Sequence, residues 1–227
     1  MRIPACSELD RLCGLHNWRV IGVSALVYHQ GSAYFEIAKP RDWQTGSQGD
    51  ILVPLTCIGG HLEPGEQLLD CLAREAQEEI GVSVHVHGTR ETGLVFNDRL
   101  RPDRYDDGDA PLPWFYTVAP NRRADPTGDV GYLVIVTYLA RALQEPAPCD
   151  VYGLIAVPSD AVQHALPAEP ILWHTLCQQS RATPLLTGEL PPVARLAPAL
   201  TARSIRLLIE SGTPIDPPPL IDSPPAG

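Results

Sequence analysis

Three glutamates, Glu75, Glu78 and Glu79, fall at i, i+3 and i+4 within Gln67 to Ile80, a run of good helix formers. At about 100° per residue that spacing places three carboxylates on one arc of a helix, where they repel one another by roughly 0.2–0.5 kcal/mol per pair. A divalent cation removes that penalty, and magnesium takes oxygen ligands of this kind. The bare run Arg74-Glu75-Ala76-Gln77-Glu78-Glu79 also reads as a solvated charged face, as most charge runs do. The glycines on either side and Glu66 upstream favour the metal site.

The elements that must position these acids follow from the flanking residues. Cys57-Ile58-Gly59-Gly60 predicts a short buried strand running into a turn, and Pro64-Gly65 adds loop punctuation. Gly81 ends the helix as a C-terminal glycine should. Leu69, Leu72, Ala76 and Ile80 share an arc of roughly 80°, which predicts the stripe that packs on the core.

From Gly60 to Val82 the chain fits G-x5-E-x7-R-E-U-x-E-E-x-G-U, with U apolar, at every fixed position. This resembles the Nudix box. The resemblance implies an α+β fold, an α/β/α sandwich with a mixed central sheet between helices, and hydrolysis of a diphosphate linkage in a nucleoside diphosphate derivative with Mg2+ or Mn2+. Carried over position by position, it implies that Glu78 and Glu79 are the main metal ligands, that Glu75 is a further ligand or the base, and that the Gly59 carbonyl is an additional ligand. Arg74 is implied to pair with a box glutamate, and Glu66 to support the loop and helix. Ala76 departs from the larger apolar residue usual at its position, which touches only the packing beneath the helix.

The general base is left open between a box glutamate and an acid on a distant loop, for which Asp103, Asp106, Asp107, Asp109, Asp125 and Asp129 stand as candidates. Asn97 to Asp109 is dense in charge, and Arg99, Arg101 and Arg104 are candidates for phosphate contacts. Tyr105 and Trp114 are candidates for stacking on a base, although Trp114-Phe115-Tyr116 at strand spacing serves a core equally well. Asn97 and Asp98 occupy places where subfamilies carry substrate markers, so the substrate stays unassigned. A nucleotide-binding sensor without turnover is the alternative. The four box glutamates favour the enzyme.

The net charge of −10 argues against an extended nucleic-acid surface, and a small nucleotide-type substrate is expected instead. No apolar run of about eighteen residues occurs, so no membrane span is expected and a cytoplasmic location is. Six cysteines lack CxxC spacing, which argues against a cysteine-built metal cluster. The expected organisation is a Nudix domain over 1–181, a helical extension over 182–213 and a proline-rich tail over 214–227. The apolar extension favours docking on the catalytic domain or a homodimer.

Overall fold

The fold is a computed structural model that describes residues 6–46, 49–101, 111–122 and 130–213. Helix α1 (Cys6–Cys13) precedes strands β1 (Trp18–His29) and β2 (Ser32–Ile37), joined by Gln30-Gly31 with positive φ at both residues, as a two-residue hairpin turn requires. Next come β3 (Gln44–Thr45), β4 (Ile51–Thr56), β5 (Ile58–His61) and helix α2 (Leu68–Ile80). Strands β6 (Val84–His87), β7 (Gly93–Phe96), β8 (Arg99–Leu100), β9 (Phe115–Pro120), β10 (Tyr132–Ala142) and β11 (Gly153–Pro158) follow. The chain ends in β12 (Ile171–Leu172), α3 (Trp173–Ser180), β13 (Thr183–Leu186), β14 (Ala194–Pro198) and α4 (Leu200–Glu210).

One mixed sheet carries all of these strands. Its axis is the parallel pair β1 and β10, with Trp18 opposite Tyr132 and Tyr28 opposite Arg141. Alternating side chains of these strands feed two cores, as a sheet covered on both faces must. Leu72, Ala76 and Ile80 of α2 pack with Val23, Val134 and Val136. Ile205 and Leu208 of α4 join the second core with Leu26, Phe35, Leu55 and Phe115. The sandwich expected from the sequence is therefore present.

One expectation changes in detail. Leu69 is 40 % exposed, because the buried arc of α2 turns toward Leu68 and Cys71, where the Cys71 thiol donates to the His61 carbonyl of β5. Residues Ser159–Ala165 form a 3-10 helix, and the Ser159 hydroxyl donates to the Gly31 carbonyl. Beyond Arg181 the chain supplies two strands as well as the expected helix. β14 runs parallel to β4 from Ala194 opposite Ile51 to Pro198 opposite Leu55, which ties this segment into the sheet.

Candidate active site

Strand β5 pairs with β1, Ser24 opposite Gly59, and delivers the chain into the loop before α2. Gly59 sits at φ 140°, and a Cβ there would overlap the Val23 carbonyl. A Cβ on Gly60 would overlap the Glu75 carboxylate. The two glycines thus let the loop lie against both the sheet and the acid that the helix presents.

Glu66 and Arg74 fasten this loop to the helix. Arg74 donates from Nε and Nη2 to the two Glu66 oxygens at 2.9 and 3.1 Å, a bidentate pair, and from Nη2 to the His61 carbonyl. The Glu63 amide also donates to Glu66, and Arg74 together with that amide holds the Glu66 carboxyl at a pKa of about 2. Through Nη1, Arg74 also reaches Glu75 at 2.8 Å and Glu78 at 3.1 Å. Its guanidinium is stabilised in the charged form, first by Glu66 and then by Glu75.

The far end of α2 is held differently. Gly81 adopts a left-handed conformation, and the amides of Ala147, Cys149 and Asp150 donate to the carbonyls of Ile80, Glu79 and Glu78. Such donors satisfy carbonyls that a helix end leaves without partners. Asp150 in turn accepts from Lys39 at 2.7 Å. The last turn, which carries two of the acids, is therefore anchored to the segment before β11 and, through Asp150, to Lys39 just beyond β2.

These elements surround a cleft of about 670 Å3. Glu75, Glu78, Glu79, Gly59 and Gly60 line it, as do Glu36 of β2, Lys39 and Asp150. Glu78 is 53 % exposed and Glu75 only 13 %. Glu79 accepts the Gly59 amide at 2.8 Å, and Glu36 accepts the Thr56 hydroxyl at 2.9 Å. Burial raises the pKa of both Glu36 and Glu79, and the nearness of Glu36 raises that of Glu79 further, against the Gly59 hydrogen bond. Two carboxylates drawn out of water and toward each other form a place where positive charge is favoured.

Among the described residues no three His, Cys, Asp or Glu side chains converge closely enough to cage an ion, and the Arg74 guanidinium bridges Glu75 and Glu78. The donor chemistry nonetheless fits a hard cation. Carboxylate oxygens of Glu75, Glu78, Glu79 and Glu36 share one cleft, the kind of partial shell that magnesium or manganese completes with waters and substrate phosphates.

The other residues singled out in the sequence lie apart from this cleft or outside the described chain. Arg99 is exposed on β8. Arg101 lies near Glu8 of α1, whose carboxyl is lowered first by Arg11 and further by Arg101. Trp114 is 6 % exposed and packs edge-on against Phe115 in the second core, because the stretch opening β9 faces inward, so it offers no stacking surface. Arg104 and Tyr105 lie outside the described residues, as do Asp103, Asp106, Asp107, Asp109, Asp125 and Asp129.

Sequence reasoning missed Glu36, Lys39, Asp150 and Leu200 as cleft residues. Only Glu36 carried a signal, a lone acid in the otherwise apolar stretch Ala33 to Ala38.

The family model described as NUDIX domain matches residues 19–148, which takes in β1, the box and β10. The chain belongs to the Nudix family. It is a Nudix-family phosphoanhydride hydrolase. Curated proteins gave no match. Among solved structures, a NUDIX family hydrolase from Clostridium perfringens is 16 % identical, with 72 % of this chain and 94 % of that one covered and a TM-score of 0.39. An ADP-ribose pyrophosphatase from Streptococcus suis is 14 % identical, with 86 % and 93 % covered and a TM-score of 0.34. The ORF135 protein of E. coli is 16 % identical, with 65 % and 80 % covered and a TM-score of 0.34.

No described helix is long and apolar enough to cross a membrane.

Proposed function

We propose that this Nudix hydrolase cleaves the diphosphate linkage of a nucleoside diphosphate derivative, with Mg2+ or Mn2+ held by Glu78, Glu79 and the Gly59 carbonyl, and with Glu75 as a further ligand or as the base. The observation that carries the reading is the half-buried Glu79, which accepts the Gly59 amide in a cleft shared with Glu36 and the more exposed Glu78. A bound divalent cation neutralises phosphate oxygens and lowers the pKa of a coordinated water. The protein's own residues do the rest. Glu66 and Arg74 fix the loop against the helix, and the Gly59 amide orients Glu79. Lys39 stands in the same cleft as the cation nearest to Asp150, where it attracts a substrate phosphate. Glu75 or Glu36, both inside the cleft, takes the proton of the attacking water.

In this reading residues 183–210 belong with the catalytic domain, because β14 adds to β4 and α4 covers the second core. The protein works on a small nucleotide in the cytoplasm.

A panel of nucleoside triphosphates, ADP-ribose, sugar nucleotides, dinucleoside polyphosphates, NADH and coenzyme A, each with Mg2+ or Mn2+, tests the assignment. At least one is hydrolysed, and Glu78→Gln and Glu79→Gln each lower that turnover by about a hundredfold or more while the circular dichroism is unchanged. Unchanged turnover in both variants sinks the assignment. Tight nucleotide binding with no turnover across the panel favours the sensor alternative.

A further inference from the structure

Leu200 stands at the junction between β14 and α4, on the rim of the cleft. Its backbone is left-handed, with φ 45°, a conformation that side chains larger than asparagine rarely adopt. Its side chain is 57 % exposed, one of few large apolar residues so placed among those described. The residues on either side are pinned. The Ala199 amide donates to the Leu55 carbonyl, Thr201 is buried and accepts from the Cys57 amide at 3.4 Å, and buried Ser204 bonds Thr117 at 2.8 Å.

The chain is thus held firmly before and after one strained leucine that projects where no core rewards it. Strain of this kind, over-determined by its surroundings, gathers at ligand clamps. The cleft is mixed in chemistry: acids and Lys39 line it together with the apolar Ile21, Pro54, Ile135 and Leu200. A ligand with an anionic part and a less polar part matches that mixed lining.

We propose that Leu200 is a specificity-determining residue, an apolar contact for the nucleoside carried on the diphosphate. The inference rests on the metal and diphosphate reading above and adds to it a contact for the nucleoside. The segment after Arg181 then serves as one wall of the substrate cleft.

The test compares two non-hydrolysable ligands that share a diphosphonate, methylenediphosphonate and α,β-methylene-ADP, by calorimetry with Mn2+ present. In wild-type protein the adenosine strengthens binding. Leu200→Ala weakens α,β-methylene-ADP by about tenfold, the scale on which apolar pockets discriminate, and leaves methylenediphosphonate unchanged. Leu200→Met retains nucleoside binding. Leu200→Gly, which accepts the left-handed backbone without strain, loses it as Leu200→Ala does.

The inference is overturned if Leu200→Ala weakens both ligands equally or neither, or if Leu200→Gly binds as wild type does. Wild-type protein that binds methylenediphosphonate but gains nothing from adenosine overturns this inference alone. Wild-type protein that binds neither ligand overturns the underlying reading and this inference with it.

Discussion

One part of the cleft wall takes Gly59, Gly60, Glu75, Glu78 and Glu79 from a single continuous stretch, whereas the rest gathers Glu36, Pro54, Ile135 and Leu200 from β2, β4, β10 and the start of α4. The first wall is bonded locally. Arg74 alone reaches Glu66, Glu75, Glu78 and the His61 carbonyl. The second is held by contacts between residues far apart in the chain, such as Thr117 with Ser204 and Ala194 with Ile51. Chemistry that depends on spacing is concentrated where spacing is short, and the surface that selects a substrate is assembled by the whole fold.

That difference predicts how the two walls fail. The largest effect belongs to Gly60→Ala, because its Cβ pushes directly on the Glu75 carboxylate. Turnover falls by about a hundredfold, the scale seen when a reacting group is misplaced by an ångström, while the melting temperature moves little. Full activity in Gly60→Ala would break the comparison at its first wall.

Ser204→Ala has the opposite profile. It leaves the buried Thr117 hydroxyl without its 2.8 Å partner and costs about 1–2 kcal/mol of stability, read by urea denaturation, with a smaller loss of turnover than Gly60→Ala. A larger loss of turnover in Ser204→Ala than in Gly60→Ala would reverse the ranking of the walls.

The smallest effect is on pH dependence. Burial first, and then Glu36, raise the Glu79 pKa, so the folded protein keeps a proton that the unfolded chain releases near the ordinary glutamate range. Metal-free stability contributed by that proton is complete below the unfolded pKa and is lost as pH rises toward the folded one. Glu66 acts in the other direction. With its carboxyl held at about 2 by Arg74, its contribution is present above the ordinary range and lost as pH falls toward that value. Melting temperatures of wild type and Glu79→Gln without metal, from about pH 5 to about pH 8, separate the two groups. Wild type declines over that window and Glu79→Gln declines less; parallel curves would remove Glu79 as the cause.

The same contrast explains what the sequence made legible. The box helix could be bounded from helix formers and Gly81, and α2 ends at Ile80 with Gly81 left-handed. The turn at Gln30-Gly31 is likewise built from local chemistry, with positive φ at both residues. Glu36 was not read as a cleft residue, since only the placement of β2 beside β4, with Glu36 opposite Thr56, brings it to the cleft. Leu200 was hidden for a stronger reason. Its role depends on the parallel pairing of β14 with β4, which joins strands far apart in the chain without a periodic signal to announce it. Leu69 shows the limit even inside the motif, because an arc of apolar residues fixes which side of a helix is buried only to within a residue or two until its neighbours are in place. Asn97 and Asp98, read from sequence only as places for a substrate marker, both have positive φ, and Asp98 pairs with Arg203 of α4 at 3.2 Å. That turn is a docking point for the second wall.

In the proposed function the box carboxylates hold the divalent cation. Titration of Mn2+ into wild-type protein and Glu79→Gln, with free Mn2+ followed by electron paramagnetic resonance, tests it most directly. Wild type binds Mn2+ saturably, and Glu79→Gln loses affinity by about tenfold or more, since one anionic ligand is removed from the site. Superimposable isotherms for the two proteins would contradict it.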